Sequence, residues 1–204
     1  ATNNSQFTTS SGYIVSAGGP KALDVIGFIS PTTGGFLAAD QAVGYRIVWG
    51  IKDTQSNVIL GEPSGRLVIT NPAGSTESDV SLTFSVPVEV NTTKYFYQIY
   101  RTGVVSGAAT DPGDDMNLVY EDNYDGSSTS ITINEQQPES FRESGTLLYT
   151  NPTTGEGIAQ SNAKPPIAKD IAKFKTSMFY ANTTSVQNTQ VTLLGLSGFI
   201  SGTS

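Results

Sequence analysis

The residues of this chain best suited to chemistry are the carboxylates of two acidic loops. The loop DPGDD supplies Asp111, Asp114 and Asp115, and the loop EDNYDG supplies Asp122 and Asp125. Calcium is bound by about six to eight oxygen ligands, many of them carboxylates, so these five residues are weak calcium candidates. The strand MNLVY would hold the two loops roughly 17 Å apart, which allows two weak sites at most. The alternative is that both loops are solvated turns in which Asp side chains accept local hydrogen bonds.

Glycoside hydrolysis is a second chemistry that carboxylates could support. It needs a pair of carboxylic acids, one of which has its pKa raised by apolar surroundings. The glutamates considered for this role lie mostly in or near turns rich in Pro, Gly or Ser: Glu62, Glu77, Glu89, Glu135, Glu139, Glu143 and Glu156. We therefore expect none of them to lie in an apolar pocket, and we assign no catalytic residue.

Two missing residue types exclude further chemistry. The chain of 204 residues contains no His and no Cys, which removes the commonest general base and every thiolate nucleophile or ligand. The sequence therefore predicts that the protein is not an enzyme and binds no cofactor. The net charge of −7 disfavours binding to the phosphates of nucleic acids, and we expect no sequence-specific nucleic-acid contact. We also expect no membrane span, because no apolar run approaches about 18 residues.

The elements that would position these loops are short β-strands. In DVSLTFSVP, apolar residues alternate strictly with Ser and Thr, the pattern of a half-buried strand. VGYRIVWGIKD followed by VILGEPSGRLVITNP predicts a hairpin of two strands, and TSITINE predicts a further strand with Ile131 and Ile133 pointing inward. ESFRES and AKDIAKF are the two segments with helical spacing. Since KTSMFYANT alternates, we predict a short helical turn at AKDIAKF that feeds a strand.

The segment NTTKYFYQIYRTG, residues 91–103, allows two interpretations. In one, its aromatic side chains form a platform on which the bases of a nucleic acid or sugars stack. In the other, alternate residues pack against Leu82, Phe84 and Val119 in the core of a β-sandwich. We favour the core, because the strand carries only one basic residue at each end.

The same strands resemble a known module. YFYQIYRTG, preceded by VSLTFSVP and followed by MNLVYE, resembles part of a fibronectin type III-like module, and VGYRIVWGIKDTQSNVILGEPS resembles a hairpin of such a module. The resemblance implies a mostly β fold: an immunoglobulin/fibronectin III-like sandwich with additional short β segments and extended termini. We expect an extended polar arm over residues 1–21, the sandwich region over 22–137, and a β-rich connector over 138–204.

The order of elements from YRIVWGIKD through LVYE and LLYTNP to PPIAKDIAKFKTSMFYANT is similar to virion structural proteins of tailed bacteriophages. In those proteins such β-modules precede a further β-rich region of a tail or nozzle assembly. The resemblance implies a non-enzymatic subunit of the phage tail (nozzle, hub or fibre), located in the virion and assembled in multiple copies in the host cytoplasm. Its partners would be other virion proteins and copies of itself, and a host-surface glycan is a further candidate ligand.

A function of another class is also open: a carbohydrate-binding or adhesin module of a bacterial surface protein. That function requires exposed aromatic side chains, such as Tyr13, Tyr124 and Tyr149, to lie together on one face.

The ends of the chain are relevant to the choice between a virion subunit and an adhesin module. We expect the polar residues 1–20 and the strand-like residues 190–204 to contact neighbouring subunits, and whether a further region follows residue 204 stays open.

Overall fold

Among the residues that the structure describes, the fold is mostly β, with several antiparallel sheets and one short helix. The computed structural model describes residues 6–8, 14–16, 19–52, 58–148 and 167–184. The elements in chain order are β1 (Gln6–Thr8), β2 (Ile14–Ser16), β3 (Leu23–Pro31), β4 (Gln41–Lys52), β5 (Val58–Leu60), β6 (Leu67–Asn71), β7 (Ser78–Ser85), β8 (Tyr95–Thr102), β9 (Val105–Ser106), β10 (Met116–Asn123), β11 (Ser130–Glu135), α1 (Glu139–Ser144), β12 (Ile167–Phe174) and β13 (Ser177–Thr184). The chain divides into two compact units, one over Ser5–Pro165 and one over Pro166–Ser204 with Ala1–Asn4.

The larger sheet of the first unit is built around β4. Strand β8 pairs with β4 and β10 pairs with β8, whereas β5, β6 and β9 each pair with β4, all antiparallel. Side chains alternate across a strand, so Tyr45, Ile47 and Trp49 share one face of β4, and all three are fully buried. The predicted strand VGYRIVWGIKD is confirmed.

The smaller sheet has the order β11-β7-β3 and shares one core with the larger sheet. The ring of Trp49 on β4 meets the ring of Phe84 on β7 edge-on, with the centroids 6.0 Å apart. Ile131 and Ile133 of β11 pack against the same core, which confirms their predicted inward orientation.

Strand β8 is buried on both of its faces, which decides between the two interpretations of residues 91–103. Tyr97 and Ile99 lie in the shared core with Leu82, Phe84 and Val119, as the core interpretation requires. On the opposite face, Phe96 is fully buried and Tyr100 packs in a second cluster around Met116. The stacking platform is therefore wrong, because these rings are not available to a ligand.

Helix α1 and residues 145–148 cover the outer edge of β10. The amide of Leu118 donates to the carbonyl oxygen of Thr146 at 2.9 Å, and the amide of Leu148 donates to that of Met116 at 2.8 Å. We call residues 145–148 the edge segment. The helical turn predicted at ESFRES is confirmed as α1.

The segment VILGEPSGRLVITNP was predicted as one strand, and this is wrong: it forms two, β5 and β6. The reason lies at Pro63 and Ser64. Proline has no backbone N–H to donate and interrupts the ladder. Next to it, the hydroxyl oxygen of Ser64 accepts a hydrogen bond from the amide of Ile47 at 3.0 Å, and the amide of Ser64 donates to the carbonyl of Ile47 at 2.9 Å.

The second unit contains a two-stranded ribbon, β12–β13. The helical turn predicted at AKDIAKF is wrong, because these residues form β12, whereas the strand predicted at KTSMFYANT is confirmed as β13. Phe174 pairs with Ser177, so only Lys175 and Thr176 make the turn, and Lys175 has a φ of 54°. Along these eight-residue strands, cross-strand pairing satisfies the backbone groups that face the partner strand, whereas a single helical turn leaves most of its backbone groups without an internal partner.

The remaining expectations concern the ends of the chain. Within residues 1–21, which we expected to form an extended polar arm, β1 and β2 form an antiparallel pair. The predicted strand at residues 190–204 lies outside the described residues. Within the described part of the chain, no helix is long and apolar enough to cross a membrane.

Candidate functional site

One ion pair lies fully inside the first unit. Arg101 Nη1 donates to Glu135 Oε2 at 2.8 Å, and the hydroxyl of Tyr45 donates to the same oxygen at 2.8 Å. Neither charged side chain has any exposed surface. Strands β4 and β8 of the larger sheet supply Tyr45 and Arg101, and β11 of the smaller sheet supplies Glu135, so the cluster ties the two sheets together.

Burial controls the acidity of this cluster. It raises the pKa of the Glu135 carboxyl, and the Arg101 charge and the Tyr45 hydrogen bond oppose that rise. Burial, and next the negative charge of Glu135, raise the pKa of the Tyr45 hydroxyl well above its usual value. The expectation that no glutamate lies in apolar surroundings is therefore wrong for Glu135.

The cluster continues towards α1 through a chain of hydrogen bonds. Arg101 Nη1 also donates to the carbonyl of Gln137 at 2.8 Å, and Arg101 Nη2 lies 3.3 Å from Glu139 Oε2. Arg142 donates to Glu139 Oε1 at 2.6 Å and to Asn117 Oδ1 at 2.6 Å. These bonds attach α1 to strands β8 and β10 and link the partly exposed Glu139 and Arg142 to the buried pair of Arg101 and Glu135.

The geometry of Glu135 suits a structural tie and does not suit a catalytic acid. Its Oε1 accepts the amide of Gln137 at 2.8 Å, and its Oε2 accepts both Tyr45 and Arg101. A general acid must come within hydrogen-bond reach of a substrate atom. With both oxygens occupied and no exposed surface, the carboxyl of Glu135 has no such reach in this arrangement.

The first acidic loop is held by arginines. Arg66 donates from Nη1 to Asp111 Oδ1 at 2.7 Å and from Nη2 to Asp111 Oδ2 at 3.0 Å. These bonds, followed by the backbone amide of Gly113, lower the pKa of Asp111. Arg46 Nη2 donates to Asp114 Oδ1 at 3.2 Å. Asp111 and Asp114 therefore already have cationic partners, while Asp115 is exposed.

The second acidic loop is organised by turns. Asp125 accepts the Ser128 hydroxyl and the amides of Ser128 and Ser127, and these bonds lower its pKa to about 2. Asp122 accepts the amide of Asn123 at 2.7 Å and the Tyr120 hydroxyl at 3.3 Å. Both of these aspartates accept hydrogen bonds from their own neighbours in sequence.

The calcium candidates are not brought together as ligands. Among the described residues, no group of three or more His, Cys, Asp or Glu side chains could hold a metal ion. The alternative, turns with local hydrogen bonds to Asp, is confirmed at Asp111, which accepts the amide of Gly113 at 2.9 Å, and at Asp125. Calcium binding by Asp111, Asp114, Asp115, Asp122 and Asp125 stays a prediction without a described ligand set.

Of the three aromatic residues named for a carbohydrate-binding face, the structure describes Tyr124, which is buried. Tyr124 is 5% exposed, and its hydroxyl donates to the carbonyl of Ser128 at 2.8 Å. Tyr13 and Tyr149 lie outside the described residues. Tyr124 is thus a core residue and does not support the carbohydrate-binding alternative.

The feature that the sequence interpretation missed is the exposed apolar surface of the β12–β13 ribbon. Phe174 is 64% exposed, Phe179 is 57% exposed and Met178 is 50% exposed. Exposed aromatic and thioether side chains at one place often mark a surface that binds a partner. The signal was present in FKTSMFY, where four apolar side chains lie within seven residues. Because a helical turn was predicted at AKDIAKF, the pairing of two strands that exposes these side chains was not expected.

Comparisons of the chain with models of protein families, with curated proteins and with solved structures found no match.

Proposed function

We propose that this chain is a non-enzymatic structural subunit of a phage virion: a tail component, such as a nozzle, hub or fibre protein, present in multiple copies. It is assembled in the host cytoplasm, and its partners are other virion proteins and copies of itself. The observation that carries the proposal is a contrast between two surfaces. We call residues 19–148 the body. The carboxylates that the structure describes there mostly form hydrogen bonds or ion pairs within the body, whereas the ribbon exposes apolar side chains.

An immunoglobulin/fibronectin III-like sandwich is the fold that we propose for the body. In an immunoglobulin domain, strands C, F and G form one sheet and strands B and E lie side by side in the other. Taking β4, β8 and β10 as C, F and G, and β3 and β7 as B and E, reproduces those pairings. Trp49 then occupies the buried tryptophan position of strand C. Strand β11, on the other side of β7, is an addition to this arrangement.

The internal use of polar groups supports a non-enzymatic role. The most enclosed carboxylate that we describe, Glu135, joins two sheets. Asp111 and Asp114 of the first acidic loop pair with Arg66 and Arg46, which lie outside the loop and hold it in place. A binding or catalytic site usually presents polar groups towards a cleft. In the body, these carboxylates instead form ion pairs with arginine side chains of the body.

Mass spectrometry of purified virions tests the function. Particles are isolated by density gradient from a culture that produces the protein, and peptides of this chain are quantified against known tail proteins. We expect the chain in a fixed ratio to those proteins through successive gradients, with an abundant host protein as the control that declines. A chain that declines with the host protein is not a virion component. Glycan-array binding by a chain absent from virions would favour the carbohydrate-binding alternative.

A further inference from the structure

We propose that the β12–β13 ribbon is an assembly element that docks on the acidic body of a second copy of this chain. The proposal rests on the proposed function, because it supplies the contact through which multiple copies would assemble. It is carried by three observations: the composition of the two ribbon faces, the exposure of their apolar side chains, and the opposite charges of ribbon and body.

Both faces of the ribbon carry apolar side chains. Paired residues of an antiparallel ribbon lie on the same face. The register pairs Ala172 with Phe179 and places Phe174 on their face, which we call the aromatic face. On the other face, which we call the cationic face, Ile171 pairs with Tyr180 and Lys173 pairs with Met178, and Lys169 lies on the same side of β12.

A ribbon of this kind gains stability from a partner. A two-stranded sheet alone is marginally stable in water, because it buries little apolar surface. Antiparallel sheets usually keep one polar face towards the solvent. In this ribbon neither face is polar throughout, and Phe174, Met178 and Phe179 are at least half exposed. Covering either face would remove apolar surface from water.

The opposite charges of the ribbon and the body indicate that the body of a second copy covers the ribbon. Residues 167–184 contain three lysines and one aspartate, whereas residues 19–148 contain sixteen acidic and seven basic residues. A basic, apolar ribbon is attracted to a body of opposite charge, and a second copy supplies that body at the same concentration as the ribbon. In a multi-copy assembly, each subunit could donate its ribbon to the next and accept one from the previous subunit.

The first experiment measures self-association of the full chain by sedimentation velocity over a range of concentrations. Charge reversal on the cationic face (Lys169→Glu with Lys173→Glu) and polar substitution on the aromatic face (Phe174→Ser with Phe179→Ser) test each face separately. We expect one or both to raise the dissociation constant about tenfold or more, equivalent to about 1.4 kcal/mol. Raising the salt from about 0.05 M to about 0.5 M should weaken the association of the wild type.

Two control variants make this measurement specific. Val88 is 93% exposed and belongs to the body, so Val88→Ser removes an exposed apolar side chain that is not part of the ribbon and should raise the dissociation constant less than the ribbon variants do. Lys21→Glu with Lys94→Glu changes the net charge by the same amount as the ribbon variant, but makes the body more acidic. If this body variant weakens association as much as Lys169→Glu with Lys173→Glu, total charge is responsible and the proposal is overturned. A wild-type chain that stays monomeric also overturns it.

The second experiment identifies the surfaces in contact. Labelled (¹⁵N) and unlabelled copies are mixed and treated with a carbodiimide, which joins a lysine amine to a nearby carboxylate as an amide with loss of water. We expect mixed-isotope crosslinks from Lys169, Lys173 or Lys175 to carboxylates of residues 19–148. Crosslinks confined to single-isotope products would mean that the ribbon docks on its own chain, and the proposal would be wrong. Binding to anionic vesicles or nucleic acid without self-association would also overturn it.

The two proposals fail in different ways. If the chain is found in virions but its ribbon variants associate like the wild type, the ribbon proposal fails and the virion function stands. If the ribbon drives self-association but the chain is absent from virions, the ribbon proposal stands and the virion function fails.

Discussion

Arg101 and Glu135 are 34 residues apart in sequence and lie in different sheets, yet their side chains form a 2.8 Å ion pair without exposed surface. Each charge has lost its hydration, so each depends on the other and on the neighbouring donors and acceptors. Tyr45 completes the cluster with a hydrogen bond to the same carboxylate oxygen. The stability of the junction between the two sheets should therefore be unusually sensitive to single substitutions here.

Replacing one partner of this pair should be strongly destabilising. Glu135→Gln keeps the shape of the side chain but removes its charge, which leaves the buried Arg101 guanidinium with only the partly exposed carboxylate of Glu139, 3.3 Å from its Nη2, as a counterion. We expect the free energy of unfolding to fall by about 3–5 kcal/mol, the usual cost of breaking a buried pair. Urea unfolding followed by tryptophan fluorescence measures it, since Trp49 is the only tryptophan and lies in the core.

A surface pair provides the control for this prediction. Lys21 lies 2.6 Å from Glu62, and the lysine side chain is 49% exposed. Glu62→Gln should cost no more than about 1 kcal/mol, because water replaces most of the lost interaction. The double variant Arg101→Met with Glu135→Leu should be more stable than Glu135→Gln, since it leaves no unpaired charge. Equal losses in Glu135→Gln and Glu62→Gln would contradict a special role of the buried pair.

The low pKa of Asp125, about 2, predicts a loss of stability in acid. In the unfolded chain an Asp titrates near a pKa of about 3.9, so between these values the unfolded state binds more protons. The contribution of Asp125 is therefore present above about pH 4 and is lost as the pH falls towards 2. Asp125→Asn should flatten the dependence of the urea midpoint on pH within this window.

A second variant identifies the cause of the lowered pKa. Ser128→Ala removes the hydroxyl that donates to Asp125 but keeps the carboxylate. The pKa of Asp125 should then move up towards its usual value, as measured by NMR titration of the carboxyl carbon. A wild-type pKa near 4 would show that the turn does not hold the charged form.

The strands of the body could be predicted from the sequence because their alternation is local. DVSLTFSVP and YFYQIYRTG each carry enough apolar residues to fix which face points inward. The buried position of Glu135 was also readable in principle, since it continues the alternation of Ile131 and Ile133 along β11. Its partner was not readable, because Arg101 approaches it only when two sheets pack.

The structures of the ribbon and of the first acidic loop could not be predicted from the sequence. Ile167, Ile171 and Phe174 have helical spacing, yet the pairing of β12 with β13, which is not visible in one strand alone, decides the structure. The first acidic loop was recognised as carboxylate-rich, but its arginine partners, Arg46 and Arg66, lie far from it in sequence. Arg66 precedes β6 by one residue and reaches Asp111 across 45 positions of sequence.

Truncating Tyr97 should also be strongly destabilising. Its ring is 4% exposed and meets the rings of Trp49 and Phe84 edge-on at 5.6 Å and 5.3 Å. Tyr97→Ala would leave a cavity between the two sheets, and we expect a loss of about 3–5 kcal/mol. Tyr95 is only partly buried, so Tyr95→Ala should cost less. Differential scanning calorimetry measures both, and a Tyr97→Ala variant that melts like the wild type would show that the ring is not in the core.

The attachment of the edge segment to β10 depends on Gly145. The backbone of Gly145 has a φ of −73° and a ψ of 153°, which any residue can adopt, so the need for glycine here is steric. A Cβ at this position would overlap the carbonyl oxygen of Leu118. Gly145→Ala should therefore push the edge segment away from β10 and weaken the hydrogen bonds that Leu118 and Leu148 donate across this junction.

Native-state hydrogen exchange measures this effect residue by residue. In Gly145→Ala the amides of Leu118 and Leu148 should exchange at least about tenfold faster than in the wild type, because their opening becomes easier by about 1.4 kcal/mol or more. The amide of Ile99, in the middle of β8, should change much less if the opening is local. Gly65→Ala is the matched control, because a Cβ at Gly65 would have no neighbouring atom within 4 Å. Unchanged exchange at Leu118 in Gly145→Ala would mean that the edge segment accommodates the methyl group without leaving the strand.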